Sequence, residues 1–452
     1  MLRNLLQKVI FHKEALFFVS LLPIISLLVG SYARLVTFKD LDESVKFDSP
    51  VSSYLSRLPK AKVGSSSAEA RSPETETQST LSAVTKTTGD KSSSPTPATA
   101  ITKKEETPKA VTVTSVTNRI NFPNNKFGVH IFSNDADIDL AAQLVNSNGG
   151  DWGWVTITMD IHERNADKWN ALFAHLLDKH LNPIIQLSNN GQIPSEDDVE
   201  GLSAFLAGLG WPTRIRPITV FSEVNASEYW GGKIDPEGYA RILNKVVESF
   251  KAKSSEFFIM NGAFNASART GSSEVGCIKT DLGVDTCYLS EIEFLKRVEA
   301  AVPGLLKKLD GWATHTYPHP AYKGRPSDTR VGAESSFEAG RNTIRSYQFE
   351  VRLLATFGIS LPIFITETGW PHKEGKTAHP EWYDQGTVAE YYRQAFQDIF
   401  LPDGRVVAVT PFILKFDSYD NFAFVNENGE KFPQWSTITN FTKVAGAPPA
   451  NR

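Results

Sequence analysis

Two glutamates in this chain of 452 residues follow directly on short apolar runs: Glu223 in ITVFSEVN and Glu367 in PIFITETGWP. Paired carboxyls suit general acid chemistry joined to nucleophilic attack. One hands a proton to a leaving oxygen, and the other captures or stabilises the electron-poor carbon left behind, as glycosidic bond cleavage requires. A single glutamate after a strand is more often a solvated loop charge, whereas two at equivalent places change that balance. A third polar stretch, His315-Thr316-Tyr317-Pro318-His319, also ends an apolar run. His315 and Tyr317 are two residues apart, so an extended chain puts both on one face. His130, Asn189, Asn190 and Asn225 stand at or after further apolar runs as candidate hydroxyl-binding groups. Trp230 and Trp370 offer flat faces for a sugar ring, and equally for packing in a core.

Chemistry of this kind needs a frame that brings distant carboxyls together. Eight short apolar runs read as strands, at 127–132, 153–159, 183–187, 218–222, 256–260, 311–316, 362–366 and 407–414. Most are continuous rather than alternating, as expected for parallel strands covered on both faces. Helical periodicity lies between them. Trp169, Leu172, Phe173, Leu176 and Leu177 mark one face, and Tyr239, Ile242, Leu243, Val246, Val247 and Phe250 another, with Asp235 and Pro236 as its start signal. Ser290 with Glu293 reads as a capping box. The alternation predicts an α/β chain folded as a (β/α)8 TIM barrel, in which the active site lies at the C-terminal strand ends. A doubly wound open sheet is the competing fold. The first strand is not followed by the G-x-G-x-x-G that a nucleotide-binding version would carry.

On these motifs the chain resembles glycoside hydrolase clan A, the retaining (β/α)8 glycosidases, from Phe127 to Thr437. The resemblance implies a nucleophile at Glu367, in TETGWP, and an acid/base at Glu223, after the fourth strand. It also implies a double displacement on a β-glycosidic bond, without a cofactor, and a polar residue after the sixth strand that orients the nucleophile. Tyr317 is expected to donate a hydrogen bond to Glu367, keeping it ionised, while Glu223 is expected to hold its proton more tightly. One departure stands out. The clan usually has Asn before the acid/base glutamate, to contact the sugar, and here Ser222 and Val224 flank it. Asn225 is the nearest residue able to take that contact. Phe416, between Lys415 and Asp417, stands where the clan often has an aromatic floor. Two other functions compete: a carbohydrate-binding surface protein on a decayed barrel, and a metal-dependent barrel hydrolase. The latter would want a His-x-His after the first strand, where only His130 stands.

The rest of the chain says where such a domain would work. Residues 15–33 carry no charge and are long enough, as a helix, to cross a bilayer. Arg3, Lys8 and Lys13 precede them, which favours a cytoplasmic N-terminus. The run therefore reads as a membrane anchor within a segment 1–34, or alternatively as a cleaved signal peptide. Either exports the remainder of the chain: a juxtamembrane and Ser/Thr/Pro-rich stalk over 35–116, then the barrel over 117–452. No aromatic residue occurs between Tyr54 and Phe122, so the stalk has little with which to build a core. With 47 Lys and Arg against 51 Asp and Glu, the charge balance does not point to nucleic acid, and the expected partners are a carbohydrate and the membrane, with the domain a monomer. Cys277 and Cys287, the only two cysteines, lie close enough to close a disulfide loop after the fifth strand. Asn225-Ala-Ser227, Asn265-Ala-Ser267 and Asn440-Phe-Thr442 have the form of N-glycosylation acceptors.

Overall fold

A computed structural model describes residues 120–122, 125–265, 274–279, 285–319, 322–331, 335–376 and 380–451. The uncharged run at 15–33 and the stalk lie outside them. Among the described residues no helix is long and apolar enough to cross a membrane.

Among the described residues, eight strands that run parallel alternate with eight α-helices. The strands are β1 (Gly128–Ile131), β2 (Gly153–Asp160), β3 (Leu181–Ser188), β4 (Arg216–Thr219), β5 (Phe257–Met260), β6 (Trp312–Thr316), β7 (Ile363–Thr368) and β8 (Val406–Val409). The helices are α1 (Asp135–Val145), α2 (Ala166–Asp178), α3 (Glu196–Ala207), α4 (Pro236–Lys253), α5 (Glu291–Ala301), α6 (Ser346–Thr356), α7 (Gln385–Ala395) and α8 (Pro433–Asn440). All neighbouring strands run parallel, in chain order, as β1 to β5 and β6 to β8. Parallel bridges Met260↔Gly311 and Phe127↔Val409 join the two sets at both seams. The result is a closed (β/α)8 barrel, not the competing open sheet.

Strand alternation divides the core into two layers. Trp154, Ile184, Phe258, Ala313, Phe364 and Ala408 point inward and fill the barrel, while Val155, Ile185, Ile218, Ile259, Ile365 and Val409 point outward against the helices. The ring of Phe122 packs into the inner cluster, 5.4 Å from the rings of Phe258 and Phe364 and 6.3 Å from Trp154. Beside it Ile120 and Asn121 pair antiparallel with Asn451 and Ala450, tying together the two ends of the described chain. Caps follow the sequence signals. Asp235 accepts from the N–H of Gly238 with Pro236 in the first turn, and Ser290 accepts from the N–H of Glu293. The buried face of α2 is narrower than its periodicity predicts: Trp169, Leu172, Phe173 and Leu176 are buried, whereas Leu177 is exposed at its edge.

Two strands end sooner than the apolar runs suggest. β4 stops at Thr219, although VFS continues the apolar stretch, and β8 stops at Val409. In both the regular pairing stops but the chain stays bonded to its neighbours: the N–H of Val220 donates to the Met260 carbonyl, and those of Thr410 and Phe412 to the carbonyls of Ile365 and Thr368.

Candidate active site

Glu367 reaches the barrel mouth through an irregularity in β7. Ile365 pairs with Thr314 and the next registered pair is Glu367 with His315, a slip of one residue. Ile365 faces the helices, so strict alternation would send Glu367 outward as well. The bulge turns it back beside His315, the usual effect of a bulge next to a site.

Glu223 is placed by a strained turn. Phe221 has φ 70° and Glu223 φ 49°, both in the left-handed region. Such residues cost on the order of 1–3 kcal/mol each and persist only where their surroundings hold them. Here the N–H of Glu223 donates to the carbonyl of Ala263 at 2.7 Å, and Ser222 bridges the same residue. Gly262 permits this approach of the β4 and β5 ends, because a Cβ there would lie 2.6 Å from the carbonyl oxygen of Val220.

The two carboxyls meet across one imidazole. His315 Nδ1 lies 3.1 Å from Glu223 Oε1, and His315 Nε2 lies 3.5 Å from Glu367 Oε1. The Tyr317 hydroxyl donates to Glu367 Oε2 at 2.9 Å, and Gln186 Nε2 donates to Oε1 at 3.4 Å. Asn265 Nδ2 donates to Glu223 Oε2 at 2.8 Å. His130 stands behind, its Nδ1 4.0 Å from Glu367 Oε1 and its Nε2 3.2 Å from Thr158 Oγ1. Both glutamates are nearly closed to solvent, Glu223 at 1% and Glu367 at 0% exposure.

Burial governs the electrostatics. It pushes the Glu367 carboxyl up to about 7, outweighing the His315 charge and the donors Tyr317 and Gln186. The expectation that Tyr317 would hold this carboxyl low is therefore corrected: the hydrogen bond is present, but desolvation is the larger effect. For His315, burial acts against the imidazolium, yet the charges of Glu367 and Glu223 overcome it and raise its pKa. Desolvation, aided by the His315 charge, lowers His130 to about 3, so it is neutral in ordinary buffers. The Tyr317 hydroxyl is driven well above its usual value by burial beside Glu367 and remains a donor.

Five expected residues thus come together: Glu223, Glu367, His130, His315 and Tyr317. Four others have structural places. Trp230 is fully buried between Phe221 and Tyr239, edge to face with both. Trp370 packs against Tyr391 and Tyr392 of α7, and its Nε1 donates to the carbonyl of Gly324. Asn189 donates to the carbonyls of Gln192 and Tyr229, closing its own loop. Asn225 spends its amide on the main chain of Asn265 and Leu289. Each follows a strand end and so is a candidate sugar contact in the sequence, the two tryptophans equally candidates for the core, because sequence distance does not say which way a loop residue turns. Asn190, by contrast, is half-buried at the mouth and donates to Asp160. Phe416 is half-buried and edge to face with Phe132, whereas Lys415 reaches the Glu427 carbonyl.

Gln186 and Asn265 join the site without being singled out by the sequence. Gln186 carries a signal, since it interrupts the apolar run of β3 at an inward position; Asn265 carries only its glycosylation-like tripeptide. Cys277 and Cys287 form a disulfide across the antiparallel hairpin Gly276–Lys279 and Asp285–Tyr288. That hairpin braces the Glu223 loop: Tyr288 bridges Ala226, and the Cys287 N–H donates to Ser227 Oγ at 2.9 Å. A separate cavity of about 410 Å³, lined by Glu374, Lys376, Asp417, Asp420 and Glu427, opens between the loops after β7 and β8 and contains neither glutamate of the pair.

No family model and no curated protein matches the chain. It is similar in structure to a monomeric β-xylosidase from Caulobacter crescentus CB15, with 16% identity over 72% of this chain and 69% of that one, at a TM-score of 0.45. It is also similar to an endo-β-1,3-glucanase from Pseudomonas viridiflava, with 13% identity over 70% of this chain and 97% of that one, at a TM-score of 0.43. A β-glucanase from Saccharophagus degradans, solved with cellotetraose, shares 12% identity over 74% of this chain and 96% of that one, at a TM-score of 0.43. These structures are glycoside hydrolases, the group whose clan A the motifs resemble.

Proposed function

We propose that the protein is a membrane-tethered, extracytoplasmic glycoside hydrolase that cleaves β-glycosidic bonds of a poly- or oligosaccharide with retention. The observation that carries this reading is the carboxyl pair itself. Glu223 from the end of β4 and Glu367 from β7 face a single imidazole in a mouth from which water is largely excluded. In the first step a Glu367 oxygen forms a bond to the anomeric carbon as the bond to the aglycone oxygen breaks. Glu223 gives its proton to that oxygen. In the second step Glu223 takes a proton from water, the water oxygen bonds to the anomeric carbon, and the Glu367 ester bond breaks. Nucleophilic attack needs Glu367 ionised, which its pKa of about 7 places near neutrality and above. Tyr317 and Gln186 supply donors to the anion in that state.

The test is covalent capture. Incubation with activated 2-deoxy-2-fluoro glycosides of the gluco, galacto, manno and xylo series should leave a glycosyl adduct, and peptide mass spectrometry should place it on Glu367. No adduct, together with no turnover of polysaccharides and saturable carbohydrate binding, would leave a binding protein on a glycosidase-like barrel. The extracytoplasmic location rests on the uncharged run at 15–33 and its flanking charges.

A further inference from the structure

We infer that Asn265 is a positioning residue for the acid/base carboxyl, and that Asn225 and Asn265 form an internal clamp and are not glycan acceptors. This rests on the acid/base role proposed for Glu223. Both asparagines head tripeptides of the N-x-S form, yet Asn225 is 0% and Asn265 3% exposed. They are forty residues apart and hold each other. Asn225 Oδ1 accepts the N–H of Asn265 at 2.8 Å, while Asn225 Nδ2 donates to the Asn265 carbonyl at 2.8 Å. One side chain thereby fixes both main-chain groups of the other residue. Asn225 is fixed in turn, because its Nδ2 also donates to the Leu289 carbonyl and its own carbonyl accepts from the Leu289 N–H, each at 3.0 Å. The amide so anchored aims Nδ2 at Glu223 Oε2, 2.8 Å away.

An amide nitrogen can only donate. Its contact holds Oε2 against a fixed donor and so sets the rotation of the carboxyl, which leaves Oε1 toward His315 Nδ1. The titratable groups around Glu223 are His315 and Tyr317 from the β6 end, His319 in the loop beyond, and Glu367 from β7. Asn265 comes from the loop after β5 and does not titrate. It adds a fixed dipole where the other neighbours add charges that change with pH.

The experiment compares Asn265→Asp, which keeps the side-chain shape and the main-chain clamp, with Asn265→Ser, and uses Glu223→Gln as the control. Each variant is assayed as full-length protein on aryl glycosides with good and poor leaving groups, across pH. Asn265→Asp and Asn265→Ser should lower turnover about tenfold or more on poor leaving groups, with much less loss on dinitrophenyl glycosides, which need little acid assistance. For Asn265→Asp the basic limb of the pH profile should move up by roughly one unit, because a like charge replaces the donor. KM should change little. A leaving-group effect in Glu223→Gln without one in either Asn265 variant overturns the inference and leaves the acid/base assignment intact. No leaving-group effect in Glu223→Gln sinks the acid/base role itself. Independently of folding or activity of any variant, production of the wild-type protein in a glycosylating secretory host should leave Asn225 and Asn265 unmodified by peptide mapping. A glycan on Asn265 of the folded protein overturns the clamp.

Discussion

Two buried side chains decide the behaviour of the site at the scale of single residues. Tyr317 gives Glu367 its shortest described hydrogen bond. Bonds to charged groups contribute about 1.5–3 kcal/mol, so Tyr317→Phe should lower turnover roughly 10- to 100-fold while the barrel stays folded, as kinetics and circular dichroism together would show. Glu367 has a second consequence, for stability. Its folded pKa of about 7 lies above the ordinary 4.5, so the folded state binds more protons than the unfolded state between those values. Stability is therefore lost as pH rises through that window. Glu350, buried under Trp312 and Thr314 and raised to about 8, acts in the same direction. His130 and His319, lowered to about 3 and 4, oppose it only below about 6.5, where the unfolded histidines protonate. Above that pH His315, raised by the charges of Glu367 and Glu223, acts with the carboxyls, and Lys443, lowered to about 8 by burial, opposes them only from about pH 8 upward. The domain should lose denaturation free energy from pH 6.5 to 8, and Glu367→Gln should be more stable than wild type at pH 8, by on the order of 3 kcal/mol. A flat wild-type stability curve over this range would contradict the assignment.

At the scale of elements, the site depends on how strand ends depart from regularity. β7 carries the slip that turns Glu367 inward, and β4 gives way to two left-handed residues that present Glu223. Gly262 makes the second departure possible. In Gly262→Ala the new Cβ would meet the Val220 carbonyl at 2.6 Å and the Phe221 carbonyl at 3.1 Å, both main chain and unable to swing away. The β4 and β5 ends would have to part. Stability measured by denaturant should fall by about 1–3 kcal/mol. Activity should fall further than stability alone explains, since the turn bearing Glu223 is what moves. Unchanged kinetics in a folded Gly262→Ala variant would show that the turn tolerates the separation.

The whole domain is a closed ring, so each strand end bears on the same mouth, and the opposite end must be sealed. Phe122 performs that sealing within the inner aromatic cluster. Phe122→Ala should cost about 3–5 kcal/mol at most, less if the neighbouring rings close over the gap. It should leave KM nearly unchanged, because the seal is at the far end from Glu223 and Glu367. For the full chain, the uncharged run at 15–33 leads to the expectation that the protein sediments with membranes and is released by detergent, not by alkaline carbonate. Recovery in the soluble fraction with an N-terminus beyond residue 33 would identify the run as a cleaved signal instead.

Much of the architecture is legible in the sequence because it is local. Continuous apolar runs and 3.6-residue periodicity are properties of neighbouring residues, and they mark eight strands and the helices between them. Glu223, Glu367, His315 and Tyr317 are legible too, since each stands at or just beyond the end of a run, and a barrel gathers such ends. Direction and environment are not local. Trp230 and Trp370 have the right chemistry for a sugar contact but turn into the core, and Asn225 turns toward a partner forty residues away. The slip in β7 leaves no trace in FITETGWP. Nor does the elevation of Glu367, because desolvation depends on everything packed around a carboxyl and not on the residues beside it in the chain. Which groups are available, and on which elements they stand, follows from the order of residues. Which of them face one another follows from how the ring closes, and in a buried site that facing sets both geometry and charge.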